Sequence, residues 1–401
     1  MPKINLQNQS RRKSFYEKNP QVPFRAPTET NIKMNLKLIK SPTHSPEIQP
    51  FKIMGYPINQ QEISKLKFIV FGSVERQIPN SWKNKGFEIN KYCSFGFMQK
   101  KGGPCTVLAS INAYLFKHLL FSEFESFNCV SIINNCPKLT PTEDQVYNAF
   151  AYALTNILYK CAVDTKLVKL AMYNPNPIQI AKVDGITERM EIYEFKTTST
   201  LIEMTELVEF ILLNIHCFKG NTVKLNSHAL LAVLYSCVLT RGLDLLQQDL
   251  QGNGPLIDNI VEFEYGTQSV VNLMLTGRAV MDTLDFKEAS QLGLQGIQQQ
   301  SDIGFLTPID KMVGQCLQCP RYPIWILLNE SHYTVMFKIN NGDIYTYYDM
   351  LGLKSSCWEF TLTNGKELTL KDALGNEDLN QDTVQLCCLS KWPNVRIQWI
   401  E

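Results

Sequence analysis

The stretch Gln99-Lys100-Lys101-Gly102-Gly103-Pro104-Cys105, continued by Thr106-Val107-Leu108-Ala109-Ser110-Ile111-Asn112-Ala113-Tyr114-Leu115-Phe116, decides how the rest of the chain is read. A Gly-Gly turn runs into Pro104, whose fixed φ suits the first helical position and whose missing N–H costs nothing there. Apolar residues then recur at three and four residues (Val107, Leu108, Ile111, Leu115, Phe116, Leu119), the spacing of a helix that buries one long face. Cys105 falls in its first turn, where unpaired backbone N–H groups and the helix dipole favour a thiolate. With a cationic partner, such positions bring a cysteine pKa from about 8.5 to about 3.5–7.5. Side chains are absent at 102 and 103, so a substrate carbonyl can approach the backbone donors. Gln99 can supply a side-chain amide to a developing oxyanion. A free cysteine is more commonly a small buried hydrophobe; the combination of Gln, glycine turn, Pro and Cys at a helix start is what singles this one out as a nucleophile.

A thiol nucleophile needs a base, and the chain has five histidines. His44 lies in a proline-rich leader. His118 is on the Cys105 helix but about four turns further along, out of reach. His216 and His228 flank a connection between two helical segments and read as surface or packing residues. His332 opens the strand pattern Tyr333-Thr334-Val335-Met336-Phe337 after the buried-strand run Pro323-Ile324-Trp325-Ile326-Leu327-Leu328. A histidine at a sheet edge can face a helix N-terminus across a cleft, although a solvent-bonded strand end gives the same pattern. An acceptor should fix its imidazole tautomer. Asp349 ends the strand Tyr345–Tyr348, and a hairpin through Asn340, Asn341 and Gly342 would bring it to His332; Asn329 and Glu330 compete on proximity.

Around this core the spacing predicts helices over 107–121, 143–160, 201–218 and 230–249. Strands are expected over 67–71, 324–329, 333–339 and 344–348, which implies an α+β fold, a helical body packed on a mainly C-terminal sheet. Residues 1–50 hold seven of the 19 prolines and the cluster Arg11, Arg12, Lys13. That composition reads as a disordered leader, and one domain is expected over 65–401. With 44% hydrophobic and 19% charged residues a sizeable core can form. Lys plus Arg number 39 against 38 Asp plus Glu, so charge gives no reason to expect nucleic acid or an acidic membrane as partner. The 12 cysteines are irregularly spaced, which suits reduced thiols in a cytosolic or nuclear protein. Cys316-Leu317-Gln318-Cys319 has the spacing of half a zinc site, but a structural site needs four ligands. No metal and no cofactor is expected.

These residues make the chain resemble the MINDY family of deubiquitinating cysteine proteases, in the branch containing its third and fourth members. The resemblance rests on Gln99–Cys105 with its helix, Leu275-Thr276-Gly277-Arg278-Ala279-Val280, Gly304-Phe305-Leu306, Pro323–His332 with Tyr347-Tyr348-Asp349, and Lys391-Trp392-Pro393 with Trp399. It covers the chain from about residue 65 onward and implies a divergent papain-like fold. By resemblance, Cys105 is nucleophile, His332 general base and acid, and Gln99 oxyanion donor. The implied partners are ubiquitin and polyubiquitin chains, cut after the ubiquitin Gly-Gly end with preference for linkage through ubiquitin's lysine forty-eight, the proteasome-targeting linkage. The position after the nucleophile, commonly glycine in this branch, is Thr106 here, which narrows the approach to the oxyanion donors or supplies another hydroxyl. Some members carry a calcium-binding insertion between the histidine and the acidic residue, for which the interval 332–349 leaves no room. A non-catalytic ubiquitin-binding module would keep the cleft and need not keep Gln99, Cys105 and His332 together.

Overall fold

The computed structural model describes residues 53–400 apart from 101, 123–128, 134–135, 176–184, 198–200, 221–226, 259–263, 309–311, 330, 340–341, 352–356 and 365–378. The leader 1–50 with His44, Glu330 and the turn residues Asn340 and Asn341 therefore lie outside the described residues. Ile53–Glu401 is one compact unit, which takes in helix Gln60–Phe71 whole.

That helix replaces the strand expected over 67–71. Its β-branched and aromatic residues suggest a strand, yet Ile63, Leu66, Ile69 and Val70 are buried at helical spacing. Both ends are capped as well, by the Asn59 side chain at the start and by Gly72, φ 83°, at the end. A second difference concerns 230–249, which forms two helices, Ala229–Arg241 and Leu243–Leu250, bent by 92°. Gly242 at the junction has φ 86°, and Arg241 is held by Asp249 and Asp164. Residues 201–218 likewise divide into helix Leu201–Leu213 and a single turn Ile215–Cys217. Helix Glu143–Cys161 matches its expected span and begins in a capping box, Thr142 with Gln145. No single helix among the described residues is long and apolar enough to cross a membrane.

The architecture is α+β. Helix Cys105–Phe121 is the central element, packed between helices Glu143–Cys161 and Gln268–Thr276 and the strands Ile324–Asn329 and His332–Lys338. Every residue from Cys105 to Phe116 is buried, so the helix is enclosed all round rather than on one face. Fully buried side chains such as Leu115 and Ile111 each contribute roughly 1.5–3 kcal/mol, which fixes the helix and with it the position of Cys105.

The C-terminal third supplies a six-stranded sheet. Its order is Val395–Ile400, Cys357–Asn364, Ile344–Tyr348, His332–Lys338, Ile324–Asn329, Gly304–Leu306, and all neighbours are antiparallel except the last pair. His332 pairs with Asn329 across one strand boundary, and Val335 pairs with Tyr348 across the other. A further sheet, in the order Tyr56–Pro57, Met190–Lys196, Leu167–Tyr173, forms over residues for which the sequence reading gives neither helix nor strand.

Candidate active site

Pro104 occupies the cap position and Cys105 opens the helix, one residue later than the proline-at-first-turn reading places it. The Pro104 carbonyl accepts from Leu108 N–H at 3.1 Å, the first bond of the helix. Gly103 has φ 125°, and a Cβ there would come within 2.8 Å of Ser81 Cβ. The space its missing side chain leaves is thus filled by Ser81, so the glycine serves close packing at this turn.

The Cys105 thiol is fully buried. It donates to two carbonyls, Gly103 O and Ser331 O, each at 3.8 Å. Burial pushes its pKa up to about 12. The backbone N–H groups of Tyr333, Thr106 and Cys105 itself pull the other way, as expected at a helix start, but desolvation outweighs them. The resting thiol is therefore protonated, contrary to the thiolate that helix position alone suggests.

His332 sits between the two residues whose backbones meet this thiol, Ser331 and Tyr333. Its Nε2 lies 2.9 Å from Asp349 Oδ1, which leaves Nδ1 as the ring nitrogen for proton transfer. Asp349 is 5% exposed, and the same Oδ1 accepts Leu351 N–H at 3.0 Å, which holds the carboxylate in place. Asp349, one of the acceptors considered from sequence, meets the imidazole, because the antiparallel register of strands 332–338 and 344–348 returns the chain to the same edge. The other described histidines have separate partners: His118 lies 3.2 Å from Asn156 Nδ2, His228 Nδ1 accepts Asn84 N–H at 3.2 Å, and His216 contacts Cys217. His228 is buried, a packing histidine at the start of helix Ala229–Arg241.

Gln99 is buried, and its backbone N–H donates to Met350 O at 2.5 Å, beside Asp349. It borders a cavity of about 340 Å³ together with Pro104, Leu108, Lys83, Lys85 and Lys100. Thr106 is buried, with its hydroxyl against the backbone of Gly266, where a Cβ would have no room.

Two positioning residues escaped the sequence reading. Asn112, two turns after Cys105, exchanges two hydrogen bonds with the Phe97 backbone: Phe97 N–H donates to Oδ1 at 2.7 Å, and Nδ2 donates to Phe97 O at 3.0 Å. Tyr348 donates its hydroxyl to the same carbonyl at 3.2 Å. Together they fix the strand Phe97–Met98 that presents Gln99. The single amide side chain in a mostly apolar helix was the available signal for Asn112.

A thiol at a buried helix start, an imidazole with a carboxylate behind it, and a glutamine ahead of the glycine turn are the residue types from which a cysteine-type hydrolase can be built. The chain belongs to the family described as "Deubiquitinating enzyme MINDY-3/4, conserved domain", whose model matches residues 67–401. It is 30% identical over 380 residues to the Mus musculus protein named "Probable ubiquitin carboxyl-terminal hydrolase MINDY-4", covering 88% of this chain and 48% of that protein. It is 28% identical over 332 residues to the Drosophila melanogaster "Ubiquitin carboxyl-terminal hydrolase MINDY-3 homolog", covering 70% of this chain and 56% of that protein. The chain thus spans about half the length of these curated relatives. No solved structure matches it.

Proposed function

We propose that the chain is a deubiquitinating cysteine protease, an isopeptidase that cuts ubiquitin chains after the Gly-Gly terminus, with a divergent papain-like domain over 65–401. The observation that carries this reading is the His332–Asp349 pair at 2.9 Å, held at the backbone that contacts the Cys105 thiol. His332 accepts the thiol proton as Cys105 sulfur attacks the carbonyl of ubiquitin's terminal glycine. Gln99 and the Cys105 N–H receive the oxyanion, and His332 returns the proton to the leaving lysine amine. Water, deprotonated by His332, then hydrolyses the thioester. Asp349 stabilises the imidazolium formed along the way. Preference for chains linked through ubiquitin's lysine forty-eight follows from the resemblance, and a cytoplasmic or nuclear location from cysteines that suit reduced thiols.

The buried, protonated thiol is the one observation on the side of a ubiquitin-binding module without catalysis. Incubation with a ubiquitin C-terminal electrophile, followed by intact mass, separates the two. Wild type is expected to gain one ubiquitin and Cys105→Ala none; an unlabelled wild type that still binds ubiquitin chains would establish the binding module instead.

A further inference from the structure

The cavity of about 340 Å³ beside Gln99 and Pro104 carries positive charge that the reaction above does not use. Lys83, Lys85 and Lys100 line it against a single carboxylate, Glu88. Lys100 Nζ binds Glu88 Oε1 at 2.6 Å, so that pair is neutral and the other two lysines leave the wall cationic. Lys83 makes no ion pair among the described residues. Two helices also begin at this wall. Pro104 caps Cys105–Phe121 and Leu230 stands in the first turn of Ala229–Arg241, so the positive ends of both dipoles add to the lysines. The rest of the lining includes apolar Met98, Leu108 and Leu230.

The lysine-bearing turn is anchored on both sides. Trp82 is fully buried, and its Nε1–H donates to Glu264 O at 2.8 Å. Asn84, at φ 51°, donates its N–H to His228 Nδ1 at 3.2 Å, and Lys85 O accepts Leu230 N–H at 3.1 Å. The backbone carrying Lys83 and Lys85 is thus ordered before any ligand arrives, which lowers the entropic cost of binding one.

We propose that this cavity is a carboxylate subsite, which takes an acidic side chain of the substrate close to the isopeptide bond; the identity of that substrate rests on the isopeptidase reading. A glutamate or aspartate matches both parts of the lining, its methylenes against Leu108 and Leu230 and its charge toward Lys83 and Lys85. The shared border with Gln99 and Pro104 keeps the acidic residue near the modified lysine. A second carboxylate could reach the cavity, the terminus of released ubiquitin. It forms at the reacting carbon, beside Gln99 and the Cys105 N–H, and brings no methylenes to the apolar lining. An ion pair made equally in the ground and transition states lowers KM and leaves kcat unchanged.

The test uses ubiquitin joined through an isopeptide bond to the lysine of a short labelled peptide, that lysine being flanked by glutamate, glutamine or arginine. Binding is read by fluorescence anisotropy on full-length Cys105→Ala. The glutamate-flanked conjugate is expected to bind about three- to fivefold more tightly than the glutamine-flanked one, with the arginine-flanked one weakest and the spread narrowing as salt is added. In the same background Lys83→Gln should narrow the spread and Lys83→Glu should reverse the order. Equal affinity for all the conjugates, no binding of any, or an order untouched by both Lys83 variants would overturn the proposal. Free ubiquitin is run beside ubiquitin with an amidated terminus. A preference for the free acid that Lys83→Glu abolishes, without any effect of the flanking residue, would assign the cavity to product and overturn its assignment to substrate. The binding order in Cys105→Ala needs neither turnover nor a folded Lys83 variant. Failure of the isopeptidase reading is distinguishable: wild type would then bind the conjugates in the expected order, cut none and resist the ubiquitin electrophile, and the subsite would stand on a binding module.

Discussion

At its first residue, helix Cys105–Phe121 carries a protonated thiol held by two carbonyls. Near its last turn Lys117 enters an ion cluster, in which Asp302 binds Lys117 at 3.0 Å, Lys160 at 3.3 Å and Arg321 at 3.2 Å. The histidines at the two ends differ as much. His118, enclosed by the packing and beside Lys117, has its pKa pushed down to about 3 by burial and keeps a neutral ring near Asn156. His332 is one-third exposed and has a carboxylate behind it. Burial alone would raise the Asp302 pKa, but Lys160 and Lys117 outweigh it and bring it to about 2. Charge is thus densest at the end where it secures packing. The end proposed for chemistry holds a buried, protonated thiol near the His332–Asp349 pair, so perturbed titration marks the structural end here at least as strongly as the end proposed for chemistry.

The comparison predicts a separation of effects. Cys105→Ala should reduce cleavage of ubiquitin chains by about 10⁴-fold or more while leaving the melting temperature nearly unchanged, measured by gel and by thermal melt. Residual cleavage close to wild type would place the nucleophile elsewhere. Gln99→Ala should lower kcat by about 10²–10³ with little change in KM or stability. A large drop in melting temperature with kcat intact would make Gln99 a packing residue instead.

At the other end the effects should fall on stability. Asp302→Asn leaves Lys117 in a poorly solvated place without its counter-ion and should destabilise the fold by about 3 kcal/mol, with labelling by the ubiquitin electrophile retained. The pH dependence has a defined sign. Because the folded-state pKa of Asp302 lies near 2, below its ordinary 3.8, the cluster stabilises fully above pH 4 or so and loses that contribution as pH falls through about 2. Acid unfolding of Asp302→Asn should accordingly show a shallower loss of stability below pH 4 than wild type. Smallest of all, Asn112→Ala should cost about 1–3 kcal/mol by stripping partners from the Phe97 backbone, and should lower kcat more than it raises KM, because Gln99 loses its anchor. A pure stability effect with kcat unchanged would show that Tyr348 alone suffices to hold that strand.

Much of the site was legible because local rules govern it. Pro104 and the glycines before it announce a helix start, the apolar run after Cys105 announces a buried helix, and the strand pattern on either side of His332 places that residue at a sheet edge. The 67–71 run and the kink at Gly242 were misread for opposite reasons. In the first, β-branched residues obeyed a helical burial pattern and the caps at Asn59 and Gly72. In the second, one glycine with positive φ broke an apolar period that otherwise continues unbroken.

The sequence by itself determined which residues could act: a cysteine at a helix start, a histidine and an aspartate at neighbouring strand ends, and a glutamine ahead of the glycine turn, all set by short-range periodicity and backbone constraint. Only the tertiary structure decided how they stand toward one another. The register of two antiparallel strands brought Asp349 to His332, and Asn112 and Tyr348 reach across the core to hold the Gln99 strand. The state of the Cys105 thiol was decided there too. Helix position favours the anion, but desolvation depends on every segment that closes around the sulfur, and no local stretch of sequence encodes that enclosure.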